Sequence, residues 1–155
     1  MSCARLRPEA IELVSTERAL VPARMVLSVE QVSWLAGYIR PYGNKIDRID
    51  VFVGRWGEMT GYAGSGDQPA ELALSSEQVV KAVYISGDLG PFAKGPARIP
   101  RVPAWVCAIE CVLVGESPDV LSYGTFTNTS GEPFQVPAAP GEHCRIEPTE
   151  LAAVT

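Results

Sequence analysis

Long apolar runs are missing from this chain. No stretch approaches the roughly 20 consecutive apolar residues that a membrane-spanning helix needs. The first 22 residues scatter Arg5, Arg7, Glu9, Glu12, Glu17 and Arg18 and hold no apolar core, so they do not read as a secretory leader, and the cytoplasm is the expected location. Histidine is scarce. His143 stands alone, too few for the usual zinc sets, and Cys3, Cys107, Cys111 and Cys144 include no Cys-x-x-Cys pair. No metal and no cofactor is expected. Positive charge is in deficit: 13 Lys+Arg against 18 Asp+Glu give a formal net charge of -5. That sign disfavours nucleic acid and anionic membrane surfaces, both bound through clustered cations. Sustained helical periodicity is lacking too. Short apolar runs punctuated by 14 Gly and 13 Pro stand in its place, the balance of many strands joined by turns.

What is present suits one folded domain with a real core: 155 residues, 46% hydrophobic and 20% charged. Cys107 and Cys111 lie in the most apolar run, Ala104 to Val114; on a strand they sit roughly 13 Å apart, beyond disulfide reach. All four cysteines are expected as reduced thiols, these two buried.

One stretch organises the rest. Arg40-Pro41-Tyr42-Gly43-Asn44-Lys45 is a tight Gly-Asn turn, and it feeds the alternation Ile46-Asp47-Arg48-Ile49-Asp50-Val51-Phe52-Val53-Gly54. Ile49, Val51 and Val53 fall on one face and Arg48, Asp50 and Phe52 on the other, the pattern of a strand with one buried face. Further strands are expected at Glu71–Leu74, Val79–Ile85, Ala104–Val114, Phe134–Val136 and Cys144–Ile146, with turns at 122–124 and 129–133 and a proline-rich surface loop at 87–103. A weak repeat relates Ser28-Val29-Glu30-Gln31-Val32 to Ser75-Ser76-Glu77-Gln78-Val79 and suggests internal pseudosymmetry.

Three stretches together resemble the jacalin-related lectins: Tyr42 to Val51; Gly61-Tyr62-Ala63-Gly64-Ser65-Gly66-Asp67 with Glu71 to Leu74; and Ser122-Tyr123-Gly124-Thr125-Phe126 with Ser130-Gly131-Glu132-Pro133-Phe134-Gln135-Val136-Pro137. The resemblance runs from about Leu35 to Gly141. It implies an all-β β-prism I fold, three Greek-key sheets about a pseudo-threefold axis, with almost no helix beyond the N-terminal segment. The expected organisation is an N-terminal extension at 1–22, a β-prism domain at 23–147 and a tail at 148–155. Part of residues 9–29 is expected to pair where the family's final strand would lie, within one chain or swapped into a neighbour, so a homo-oligomer is expected.

The same resemblance implies sugar binding at a second, not the primary, family site. The glycine-rich loop ahead of the first strand is missing, since the first glycine is Gly37, and only fourteen residues follow Gly141, without another Gly or Asp. Mannose-binding members carry a further site made by a Gly-x-x-x-Asp loop in the first hairpin and a facing glycine-rich loop. Gly43 to Asp47 and Ala63 to Asp67 match both parts. Asp47 would accept from two sugar hydroxyls, and the amides around Gly43, Asn44, Lys45, Ala63, Gly64 and Ser65 would donate. In the plainer alternative, Gly43–Asp47 is a hairpin turn whose Asp47 bonds its own loop amides.

Other polar residues carry less. His143 and Cys144 are neighbours on a strand and point to opposite faces, so His143 reads as a surface histidine. Trp34 and Trp105 read as core; Trp56, in a polar segment, reads as exposed. The leading expectation is a non-catalytic module binding mannose- or glucose-type glycans. A protein-interaction module that has lost sugar binding comes second. An enzyme comes third, since no acid–base pair shows at telling spacing.

Overall fold

The computed structural model describes residues 26–59, 75–90, 105–128, 134–136 and 142–152. Within them the protein is mostly β. Helix α1 (Val29–Ile39) leads through a tight 3₁₀ segment (Arg40–Lys45) into β1 (Ile46–Arg55). A single helical turn, α2 (Trp56–Met59), follows; then come β2 (Val79–Gly87), β3 (Trp105–Val114), β4 (Val120–Asn128), β5 (Glu142–Ile146) and a last short helix, α3 (Pro148–Ala152). The strands form one open antiparallel sheet in the order β4-β3-β2-β1-β5. Four consecutive strands meander, and the fifth returns beside the first in the manner of a Greek key.

Helix α1 departs from the expectation of almost no helix outside the N-terminal segment. A capping box starts it: Ser28 Oγ accepts from the Gln31 amide, and the Gln31 side chain accepts from the Ser28 amide. Val32, Leu35, Ala36 and Ile39 then recur at helical spacing and are all buried. Burial of Leu35 alone is worth about 1.5–3 kcal/mol. The repeat partner, Ser75 to Val79, forms a turn into β2 instead, so the two similar stretches are not structural copies. Gln78 there bonds the Val79 carbonyl rather than a cap. Of the 9–29 segment expected to add a strand, residues 26–29 run into α1 and the rest lies outside the described residues.

Both faces of the sheet are covered. Helix α1 and Leu151 of α3 lie over Ile49, Val51, Val53, Val83, Ile85, Cys111, Leu113 and Ile146. The opposite face packs Phe52, Tyr84, Val80, Ala82 and Val112 with Trp56 and Met59, and Phe126 and Phe134 lean against them. The expected single buried face of β1 is therefore two: Asp50 is 0% and Phe52 3% exposed. Trp56 is buried, because α2 folds it under this second face, whereas Trp105 is 46% exposed at the outer end of β3 and Trp34 is half-buried. Residues 122–124, expected to turn, lie within β4, where pairing to Glu110–Val112 overrides their turn-like composition. Leu151 makes the start of the expected tail part of the core. Cys107 and Cys111 are free, but Cys144, on edge strand β5, is disulfide-bonded and corrects the expectation of four thiols; its partner lies outside the described residues.

Candidate functional site

The loop ahead of β1 is rigidly seated. Gly43 turns it with φ +57°, in the left-handed region that favours glycine. The Lys45 carbonyl accepts from the Asp88 amide at 3.1 Å, which clamps the loop to the end of β2. That clamp requires Gly87, since a Cβ there would sit 2.1 Å from the Lys45 oxygen.

A β-bulge decides where Asp47 points. Ile46 pairs with Gly87 and Arg48 with Ser86, which leaves Asp47 as the extra residue. Ile46 and Ile49 both join the helix-side core. Two residues therefore stand where strict alternation allows an even step, and a bulge re-aims the inserted side chain. Without it, Asp47 would share the buried face of Ile49 and Val51. With it, Asp47 is exposed, as are Gly43, Asn44 and Lys45. Among the described residues the Asp47 carboxylate makes no hydrogen bond or ion pair. The plainer alternative, in which it bonds its own loop amides, does not hold here. Ala63, Gly64 and Ser65, the other half of the expected site, lie outside the described residues. Behind Gly43 a small, mostly apolar cavity of about 120 Å³ opens between Ala36, Ile39, Arg40, Leu151 and Ala152.

The same strand carries a second constellation on its other side. Asp50 Oδ2 accepts from Arg48 Nε at 2.7 Å, and Oδ1 accepts from Arg48 Nη2 at 2.9 Å. Oδ1 also receives His143 Nε2 at 2.6 Å. Burial is the strongest influence on Asp50 and pushes its carboxyl up. The hydrogen bonds from His143 and Arg48, with the Arg48 charge, outweigh it and hold the group below the ordinary aspartate value. An ionised carboxylate cannot donate, so Nε2 carries the hydrogen of this bond. The imidazole also stacks on Phe52, centroids 4.5 Å apart and planes 7° off parallel. His143 is thus no surface histidine, although it does lie opposite Cys144, which joins the helix-side core. Next along the sheet, the Tyr84 hydroxyl bonds the buried Glu110 carboxylate, and both burial and that bond raise the phenol.

This acid–base pair is the feature the sequence reading missed. Its members are 93 residues apart, and only the return of β5 beside β1 sets His143 next to Asp50. Both Asp50 oxygens are occupied and the ring stacks on Phe52, so the arrangement ties edge strand β5 to β1. Among the described residues no group of three or more His, Cys, Asp or Glu side chains could hold a metal, and no helix is long and apolar enough to cross a membrane. Comparison with protein-family models, curated proteins and solved structures finds no match.

Proposed function

We propose that the protein is a non-catalytic carbohydrate-binding module for mannose- or glucose-type sugars, with Asp47 as the acceptor of the sugar hydroxyls. The observation that carries this reading is the bulge at Asp47, which holds an exposed carboxylate, without a partner among the described residues, on a loop seated by Gly87. A hexose offers adjacent hydroxyls that both donate and accept, and a fixed carboxylate beside turn amides meets them with little reorganisation. In this reading the three-sheet β-prism is the fold, and Ala63, Gly64 and Ser65 complete the site. A single shallow site of this kind binds weakly and gains avidity from a homo-oligomer. A glycan array on the purified protein is expected to show mannose- or glucose-terminated glycans and no sialylated or galactose-terminated ones. An array without any bound glycan would overturn the reading in favour of an interaction module on the same scaffold.

A further inference from the structure

Four aromatic rings run from the sheet edge to the Gly43 turn. Trp34, Tyr38 and Tyr42 recur every four residues along α1 and its 3₁₀ extension, and so share one side of it. Trp34 and Tyr38 stack with centroids 5.2 Å apart. Tyr38 in turn stacks on Tyr123 of edge strand β4 at 6.1 Å and lies 6.5 Å from Tyr42. None of the four is buried; Trp34, Tyr38 and Tyr42 are partly covered and Tyr123 is 52% exposed. Tyr38 packs against the helix-side core, which anchors the middle of the row. Packing alone does not call for rings placed at the surface in mutual register.

We infer that this row is an extended subsite for the second and third residues of a neutral oligosaccharide whose terminal sugar occupies the Asp47 loop. The inference rests on the proposed function of that loop. The C–H face of a pyranose stacks on an aromatic ring, and phenol hydroxyls hydrogen-bond its edge, so tyrosine suits both surfaces of a sugar. The row ends at Tyr42, next to Gly43 and five residues from Asp47. Nucleobases also stack on such rings. A chain with net charge -5 repels their phosphates, whereas a neutral glycan meets no such penalty.

The test titrates methyl α-mannoside and an α-linked mannotriose into wild type, Tyr123→Ala, Tyr123→Phe and Tyr42→Ala by calorimetry. Near-UV circular dichroism checks that each variant keeps its packing. The trisaccharide should bind wild type about five- to tenfold tighter than the monosaccharide. Tyr123→Ala should remove that gain and leave the monosaccharide affinity, and Tyr123→Phe should keep most of it. Equal affinity of the two sugars for wild type, or a gain that survives both alanine variants, overturns the subsite and leaves the Asp47 reading standing. Trisaccharide binding that needs Tyr123, with no monosaccharide binding, supports the row and counts against the loop. Failure of both sugars overturns both. Tighter binding of a thymidine oligonucleotide at the same rings overturns the choice of a glycan.

Discussion

Asp50 shows how a single residue escapes a reading based on alternation. Its neighbours made it one polar position on an outward face, yet it is fully buried and held by Arg48 and His143. Breaking a buried pair leaves the partner charge uncompensated, worth about 3–5 kcal/mol in the interior. Arg48 is 39% exposed and can rehydrate. Asp50→Asn should therefore lower stability by about 2–4 kcal/mol in urea titrations at neutral pH. The sign with pH follows from the lowered carboxyl. Its contribution is full above the ordinary aspartate value of 3.8 and fades as pH falls through the lower folded value. The stability gap between wild type and Asp50→Asn should hold from pH 7 to about 5 and narrow below about 4. A gap that widens on acidification would contradict this account of the cluster. A Tyr84–Glu110 neighbour and a ring stacked on Phe52 complete the same buried face. Apart from Arg48–Asp50, two residues apart on β1, none of these contacts had a local signal, because each joins residues on different strands.

At the scale of elements, strands were legible and their surroundings less so. The apolar runs at 46–54, 79–85, 105–114 and 144–146 are strands, since period-two or continuous apolarity is written locally, whereas the expected strand at Phe134–Val136 is not one. Helix α1 was not read, although Ser28 and Gln31 form a recognisable capping box ahead of an apolar run. The similar Ser75–Val79 stretch enters a strand, so the motif alone does not specify a helix. Gln31 does more than cap. Its Nε2 donates to the carbonyls of Gly115 at 2.8 Å and Ser117 at 2.9 Å, and its Oε1 accepts from the Ser28 amide at 3.0 Å and from Lys81 Nζ at 2.7 Å. Ser28 Oγ adds a bond to the Glu116 carbonyl at 2.6 Å. The helix start is thus tied to the β3–β4 turn by one saturated amide. Ser28→Ala should cost about 1 kcal/mol, the ordinary value of a cap. Gln31→Leu should cost more, about 2–4 kcal/mol, since it strips two partly buried carbonyls and the buried Lys81 ammonium of a partner. Equal losses for the two variants in urea unfolding would mean that the amide acts only as a cap.

For the whole molecule, the sheet seats the Gly43–Asp47 loop at the corner where β1 begins and β2 ends. Glycine at 43 and the carboxylate four residues later were readable as a motif. The bulge that turns Asp47 outward was not, because Ile46 and Ile49 reveal it only once both are known to face α1. The clamp on the loop also depends on Gly87, forty residues away from Asp47 in sequence, and on a pairing register that composition does not encode. The most direct measurement is therefore a paired one on Asp47→Asn: calorimetric titration with methyl α-mannoside beside a thermal melt. An exposed carboxylate with no partner among the described residues adds little to stability, whereas a charged acceptor facing sugar hydroxyls contributes about 1.5–3 kcal/mol. Asp47→Asn should then weaken mannoside binding by roughly ten- to a hundredfold, with the melting temperature unchanged within about 1 °C. Unaltered mannoside affinity, or a clear drop in melting temperature with no wild-type binding to lose, would contradict the account.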